Sequence, residues 1–505
     1  VDLVTGQHPI YDADAARSID AYAIDSLGIA GSTLMRAAAA AAERVVRGRF
    51  AQAHAIVVVA GSGNNAGDGY EVARLLCTHG RSVRIVRVSI SQAQGDAAQM
   101  LQGAIAAGVP VDDRPDGVIG DVLTDSDLVI DALLGSGATG APRDGIAEAI
   151  RAVNDAALPV VALDIPSGVD ASTGETPGLA IHADITISFH CDKLGLRIAP
   201  GCAQTGVVVV VPIGIPDDLP IEPSAVAVTD AAALLPARLR GGSKYDAGAV
   251  LVVGGSVGMA GAPALTAAAA LRAGAGAVTA LVPDAIQTTV ASGLREAMVR
   301  PLASLRPERQ IVEYAERARA VVLGPGLGRE PEVEMIVRAV LALERPVLVD
   351  ADALWWVARD PSVLQVRRAP TIITPHAGEA ARLLGCDATQ IEQYRLRSVR
   401  ELVELTRAVT LLKGRDTLVL APDGRLGLRA QSSAALATAG SGDVLAGIIG
   451  ACLARGADPW TAAIAGAAAH VQAAMDATGS RRDGGIIAGD LIEHLSVLAV
   501  PGSPS

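Results

Sequence analysis

Aromatic side chains are scarce in this sequence, with three Trp, six Tyr and two Phe among 505 residues. The interleaved aromatic and basic residues that single-strand binders use as stacking platforms are therefore missing. Positive charge is also in deficit. The 42 Lys and Arg are outnumbered by 54 Asp and Glu, a formal net charge of −12. A chain of that sign repels a phosphate backbone, so nucleic acid is not an expected partner. Long apolar runs are absent too. Val207 to Val211 and the alanines Ala37 to Ala42 fall well short of the ~20 residues that span a bilayer, which excludes a membrane partner. The five cysteines (Cys77, Cys191, Cys202, Cys386 and Cys452) are odd in number and lack C-x-x-C spacing. Neither a disulfide framework nor a thiolate zinc site follows. The opening Val1-Asp2-Leu3-Val4 has no basic region leading into an apolar stretch, and the expectation is a cytoplasmic protein.

What is present is a long, half-hydrophobic chain, enough for two or three domains. Short β-rich runs alternate with amphipathic or alanine-rich segments, the pattern of βαβ units around a parallel sheet. The first half offers strands at Ala55 to Ala60, Val83 to Val88, Asp127 to Asp131, Pro159 to Asp164, Asp184 to Phe189 and Gly206 to Val211. Helices are expected at Gly67 to His79 and Arg143 to Asn154. The stretch Pro212 to Pro223 holds four prolines and no helical period, so it reads as a linker. A second series follows at Ala249 to Val253, Ala277 to Val282, Ala320 to Leu323, Pro346 to Val349, Thr371 to Thr374 and Val409 to Leu412. Helices at Val444 to Leu453, Thr461 to Ala477 and Gly489 to Leu498 close the chain. The expected domains are 1–224 and 225–505, both α/β.

In the first half, strand Ala55 to Ala60 runs into Gly61-Ser62-Gly63-Asn64-Asn65-Ala66-Gly67-Asp68-Gly69. Glycines there let a backbone approach a pyrophosphate at a helix N-terminus, although a tight strand-to-helix turn explains them as well. The acidic residue that a nicotinamide dehydrogenase carries about 20 residues later is absent. A bare turn has no need of Asn64, Asn65 and Asp68. Two further loops follow strands: Asp131 precedes Gly135-Ser136-Gly137-Ala138-Thr139-Gly140, and Asp164 sits in Leu163-Asp164-Ile165-Pro166-Ser167-Gly168-Val169-Asp170. Ligands of open parallel sheets bind at the carboxyl ends of strands. Asn65, Asp131 and Ser167 offer oxygens suited to a hard cation, and Asp164 offers a carboxylate for acid–base work. Each alone is commonly a cap or turn residue.

Together, G-x-G-N-N-x-G-D-G, D-x-L-x-G-x-G and D-I-P-S-G-x-D resemble the YjeF N-terminal domain, the NAD(P)H-hydrate epimerase family. The resemblance covers roughly residues 10–220 and implies a Rossmann-like three-layer αβα fold. The family usually has glycine where this chain has Ala66. It implies that Asn64, Asn65, Ala66, Gly67 and Asp68, the loop Gly135, Ser136, Gly137, Ala138, Thr139, Gly140 and Ala141, and Asp164 contact a hydrated nicotinamide nucleotide. It implies potassium (K+) on Asn65, Asp131 and Ser167. Lys193 matches the family's late lysine, as Asp164's catalytic partner.

In the second half, Gly440-Ser441-Gly442-Asp443 leads into an apolar helix pattern. Free amides and the helix dipole make an anion hole there, and Asp443 is placed to take a proton from an attacking hydroxyl. An Asp complementing the dipole is the plainer alternative. Lys413-Gly414-Arg415-Asp416-Thr417 is a basic turn suited to nucleotide phosphates. Lys244, the glycine loop Gly254 to Ala262, Gly324-Pro325-Gly326-Leu327-Gly328 and Thr374-Pro375-His376-Ala377-Gly378-Glu379 complete the set. His376 by itself reads as a helix start. These motifs, over about residues 230–500, resemble the YjeF C-terminal domain, a ribokinase-like αβα fold acting as NAD(P)H-hydrate dehydratase. The resemblance implies that Ala262, Gly326, Gly328, His376 and Asp443 face the hydrate. Lys413, Gly414, Arg415, Asp416, Thr417 and Gly442 would hold the adenine nucleotide, ADP or ATP with Mg2+. It also implies a homo-oligomer. Two other readings compete: a vitamin-precursor kinase with an N-terminal nucleotide-sensing domain, and a first domain that binds without catalysing.

Overall fold

The computed structural model describes residues 6–88, 91, 93–231, 234–235, 247–303, 306–429, 433–479 and 485–495. Lys244 and the end of the expected helix Gly489 to Leu498 lie outside the described residues. Contacts divide the chain into two compact units, Pro9–Ser224 and Ala225–Ser505, the latter joined by Asp2–His8. The first strand, β1 (Gln7–Ile10), lies at the edge of the second unit's sheet.

The first unit is built on β2 (Ala55–Ala60), β3 (Ser82–Arg87), β4 (Val111–Asp113), β5 (Leu128–Ala132), β6 (Val160–Leu163), β7 (Ile185–Phe189) and β8 (Val207–Val211). They form one all-parallel sheet in the order β4-β3-β2-β5-β6-β7-β8. Alternate residues serve opposite faces. Ile56, Val58 and Ile130 join Ile19, Ala39 and Leu76 in one core, whereas Val57, Val59 and Val129 join Ile119, Ile150 and Val153 in another. Both faces are thus covered by helices, giving three layers, and the strands read as unbroken apolar runs for that reason. The direction of winding reverses between β2 and β5, which opens a crevice at their carboxyl ends. The proline-rich stretch after β8 is not a loose tether. Ile213 and Ile215 are buried in the first core, so apolar burial at alternate residues secures a segment whose prolines forbid a helix.

The second unit contains β9 (Ala225–Val228), β10 (Ala249–Val253), β11 (Ala277–Pro283), β12 (Met298–Leu302), β13 (Ala320–Leu323), β14 (Val347–Val349), β15 (Thr371–Ile373), β16 (Val409–Leu412), β17 (Thr417–Leu420) and β18 (Leu426–Arg429). With β1 the order is β1-β9-β18-β17-β16-β15-β14-β13-β10-β11-β12. From β12 to β16 every pairing is parallel, and β16-β17-β18 is antiparallel. Here the winding reverses between β10 and β13. Val250 and Val252 pack against the helices Gly261–Arg272, Ser441–Ala454 and Pro459–Thr478, while Leu251 and Val253 are fully buried on the opposite face. The helix Ser441–Ala454 is buried on nearly every side, so it shows no amphipathic stripe. Its neighbours approach closely through glycine. A methyl on Gly447 would meet Thr266 O at 2.3 Å, and one on Gly450 would meet Val322 at 2.5 Å.

Candidate active sites

In the first unit the expected residues gather at the β2–β5 crevice. Asn64 to Asp68 are not a loop, as the sequence reading had them, but the first turn of the helix Asn64–Thr78. Glycine is a poor helix former, yet close packing requires it here. A Cβ on Gly67 would lie 2.7 Å from Met35 Sδ, and one on Gly69 would lie 2.5 Å from Ala132 Cβ. Ala66 is fully buried in the core, so only its backbone can meet a ligand. Gly61 is also obligatory, since a side chain would strike Leu133 O at 2.1 Å.

Asp164 follows β6 with φ +66°, a left-handed conformation that costs energy and clusters at functional sites. Its Oδ1 lies 2.9 Å from Lys193 Nζ, and its Oδ2 accepts the Ser136 amide at 2.9 Å. Lys193 also donates to Ser188 Oγ at 2.8 Å. The lysine is 3% exposed and the aspartate 14%. Burial opposes ionisation of Asp164, but the Lys193 ammonium and these hydrogen bonds outweigh it and hold the carboxyl below its ordinary range. Burial alone would discharge Lys193; Asp164 overrides it and pushes that pKa up. Two further carboxyls sense the pair. Asp68 is driven well up by burial, and by the charges of Asp164 and Asp20. Asp20, which sequence reasoning missed, lies on the helix Ala13–Asp25. Its side chain is exposed, yet protein around the carboxyl and the charge of Asp164 raise it to about 6 against the pull of Lys193. No local motif marks it, because the fold brings it in from a distant helix.

The three oxygen donors also converge. Asn65 Nδ2 donates to Leu134 O at 2.7 Å, and Ser167 Oγ lies 3.3 Å from the same carbonyl. Asp131, 1% exposed, accepts the Ser167 hydroxyl at 2.6 Å, the Ser167 amide at 2.8 Å and the Leu133 amide at 3.1 Å. Burial nevertheless pushes its carboxyl up to about 6. Asn65 Oδ1 is buried with no hydrogen-bond partner among the described residues, a deficit of about 1–3 kcal/mol that a cation would remove. Oxygen donors only, one of them an orphan beside a buried carboxylate, fit a hard monovalent or divalent cation. Gly135 sits between the two groups: a Cβ there would lie 3.1 Å from Asn65 Cβ and 3.4 Å from Asp164 Oδ2. Gly137, Thr139, Gly140 and Ala141 are exposed at the outer rim, and Ala138 turns back onto Gly135 O at 3.0 Å.

In the second unit the convergence centres on Lys413. It follows β16 with its amide on Pro375 O, and its Nζ lies 2.8 Å from Asp350 Oδ1 and 3.8 Å from Glu379 Oε2. A Cβ on Gly442 would meet that ammonium at 3.6 Å. Burial opposes the charge, but Asp350, Glu379 and Asp443 prevail and raise its pKa. Asp443 lies in the first turn of Ser441–Ala454, with its carbonyl held by Thr266 Oγ1 at 3.1 Å. Burial, then the charge of Asp350, raise its carboxyl to about 6, with Lys413 opposing. Gly440 caps the helix at φ +84°. Ser441 Oγ is 3.1 Å from His470 Nε2, and burial lowers that histidine to about 4, which leaves it neutral.

The β10 and β13 loops meet across the crevice. Ser256 Oγ donates to Gly326 O at 2.9 Å, and a Cβ on Gly326 would lie 3.0 Å from Ala262 Cβ. The Gly328 amide donates to Asp352 Oδ2 at 3.0 Å. Gly324, at φ +122°, passes so close to Asp350 O that a Cβ would sit 1.8 Å away. His376 is the N-cap of Ala377–Leu384. Its Nδ1 accepts the Gly378 amide at 3.0 Å, and Glu379 Oε2 accepts the His376 amide at 2.9 Å. Its ring remains 60% exposed at the crevice mouth.

The expected nucleotide turn needs one correction. Asp416 faces inward, 2.7 Å from Arg395 Nε, and both side chains are essentially fully buried. Its carboxylate is withheld from any ligand. Arg395 also donates to Asp416 O at 2.7 Å, and a Cβ on Gly414 would meet its guanidinium at 2.5 Å. Gly414 and Asp416 therefore shape the turn around a buried arginine that no local motif announces. Arg415 stays exposed, and Thr417 begins β17. Asp350 and Asp352 were also missed, although Asp350 directly follows the strand Val347–Val349, as Asp164 follows Val160–Leu163. The same strand-end reasoning reaches it.

Comparison with known proteins matches each half to a different family model. A family model described as NAD(P)H-hydrate dehydratase matches residues 250–496, and one described as YjeF-related protein N-terminus matches residues 31–195. The bifunctional NAD(P)H-hydrate repair enzyme Nnr of Salinibacter ruber is 36% identical over 530 residues, covering 97% of this chain and 96% of that protein. The protein of the same name from Escherichia coli K12 is 36% identical over 510 residues, covering 98% and 94%. A solved structure of the ADP/ATP-dependent NAD(P)H-hydrate dehydratase from Bacillus subtilis, co-crystallised with ATP and Mg2+, is 28% identical over 53% of this chain and 94% of that one, with a TM-score of 0.48. With such relatives matched almost end to end, the chain belongs to the family of bifunctional NAD(P)H-hydrate repair enzymes.

Proposed function

We propose that the chain restores hydrated NADH and NADPH, the first unit epimerising the hydrated carbon and the second dehydrating one epimer at the expense of ADP or ATP. The observation that carries the second activity is Asp443 beside Lys413 at the N-terminus of a buried helix. Hydroxide is a poor leaving group, whereas a phosphate ester leaves readily once a ring nitrogen can push electrons. The ring hydroxyl attacks the terminal phosphorus of the donor, Asp443 takes its proton, and AMP or ADP departs. The amides of Gly440 to Gly442 and the Lys413 ammonium hold the charge in transit. The nitrogen lone pair then expels phosphate, and loss of a proton from the adjacent carbon regenerates the dihydropyridine. Mg2+ accompanying the donor would neutralise phosphate charge beside Lys413.

In the first unit Asp164, kept ionised by Lys193, removes the proton of the ring hydroxyl as a carbonyl forms there and the ring carbon–nitrogen bond opens, its electron pair going to the nitrogen. It returns the proton when the bond re-forms on the other face. The amides of the helix start at Asn64 receive the nucleotide's phosphates, while the Ser136 amide stays on Asp164. Potassium would sit on Asn65, Asp131 and Ser167, where it would compensate the buried carboxylate. The five cysteines are free thiols, which suits a reducing compartment, and we place the protein in the cytoplasm as a homo-oligomer. A mixed-epimer hydrate supplied with ADP and Mg2+ tests the reading. Reduced-nicotinamide absorbance should return in full, and absorbance that never returns would reject it.

A further inference from the structure

We infer that a cavity beside the second unit's crevice is the subsite for the adenosine-phosphate half of the hydrated dinucleotide; the inference rests on the dehydratase reading above. The cavity has a volume of ≈ 340 Å³ and is lined by Trp355, Ala358, Arg359 and Arg382, a size at the lower end of the range for small-molecule sites. The Arg359 guanidinium lies 5.6 Å from the centre of the Trp355 ring and 5.0 Å from that of Trp356, and Arg329 lies 5.7 Å from Trp355. The two indoles meet edge to face at 4.9 Å. Arg329 is paired with Asp352 at 3.2 Å. Arg359 and Arg382 are exposed and make no ion pair among the described residues. In a chain of net charge −12, two uncompensated guanidiniums around an indole form an isolated anion-attracting point.

The cavity's lining residues Trp355 and Arg382, and the neighbouring Arg329 and Trp356, belong to segments that begin at the crevice. Arg329 follows Gly328 directly. Trp355 is one turn beyond Asp352, whose carboxylate accepts the Gly328 amide, and Trp356 Nε1 reaches Gly328 O at 3.4 Å. Arg382 stands on the helix capped by His376. The cavity therefore lies just outside the loops expected to face the hydrate. Beyond the reacting ring, that substrate carries a pyrophosphate, a ribose, an adenine and, in the phosphorylated form, a further phosphate. Purines stack on indole and guanidinium planes, and phosphates pair with arginine. The phosphoryl donor also contains an adenosine phosphate, but its transferred phosphorus must approach Lys413 and Gly442. The far half of the hydrate is the occupant that fits.

Steady-state kinetics of the full chain separate the two sources. In Trp355→Ala, KM for the dinucleotide hydrate should rise about tenfold or more, the loss of one stacking contact, with kcat and KM for ADP unchanged. The hydrate of reduced nicotinamide mononucleotide, which lacks the adenosine half, should show the same KM in the variant as in the unaltered protein. Trp355→Phe should recover most of the loss. The double variant Arg359→Ala/Arg382→Ala, on exposed positions that do not endanger folding, should raise KM for NADPH hydrate more than for NADH hydrate. An unchanged dinucleotide KM, an equal rise for the mononucleotide, or a rise confined to ADP would overturn the subsite. If the unaltered protein turned over neither hydrate, the dehydratase reading would fail instead.

Discussion

Two carboxylates with opposite electrostatic settings define the chemistry at the level of single residues. Asp164 is held ionised by a buried ammonium, whereas burial and Asp350 raise Asp443 to about 6. A general base works only when deprotonated, so acidification should remove the two activities at different points. Dehydration should fall as pH drops through about 6, while epimerisation persists until below the ordinary carboxylate range. Separate pH–rate profiles of kcat for the two reactions check this. Asp443→Asn should lower dehydration by about 10²–10⁴-fold, the usual worth of a positioned acid–base group, with epimerisation unchanged. Lys193→Met would leave Asp164 buried without its counter-charge. Removing one partner of a buried pair costs about 3–5 kcal/mol, and urea unfolding of the first unit should register a loss of that order.

Elements explain both what the sequence disclosed and what it hid. The central parallel strands were legible because both sheet faces are buried and their residues form short apolar runs. The glycine loops were legible because they follow those strands. The hairpin β17–β18 was not predicted, although Ala421-Pro422-Asp423-Gly424-Arg425 between them is a turn signal of known mechanism. Its antiparallel return breaks the strand-helix alternation on which the reading relied. The start of the helix Asn64–Thr78 was set too late because its glycines argue against a helix locally, while contacts with Met35, Ala97 and Ala132 demand them. Arg395 and Asp20 were invisible for a different reason. Their roles depend on elements far away in sequence that only the fold brings near. Loop geometry also makes a prediction. Gly324→Ala must relieve a Cβ 1.8 Å from Asp350 O at φ +122°, and should lower the thermal midpoint of the second unit and abolish dehydration. Epimerisation measured on the same sample at low temperature should survive.

Across the whole molecule, parallel strands in each of the two units change their direction of winding at a crevice, and there a carboxylate lies beside a lysine. The pairing has a purpose if the second site accepts a single epimer, since the first then converts the remainder. A monovalent cation should matter to the first unit alone. Its thermal midpoint should be higher in potassium chloride than in tetramethylammonium chloride at equal ionic strength. Asn65→Ala should erase that difference, and a midpoint indifferent to the cation in the unaltered protein would dismiss the ion.

The most direct test is the final yield of reduced dinucleotide from an equal mixture of hydrate epimers, measured faster than they interconvert spontaneously. With ADP and Mg2+, Asp164→Ala should stop near half, Asp443→Ala should yield nothing, and the two variants together should restore full recovery. Full recovery by Asp164→Ala at the rate of the unaltered protein, or any nucleotide-dependent recovery by Asp443→Ala matching it, would contradict the account.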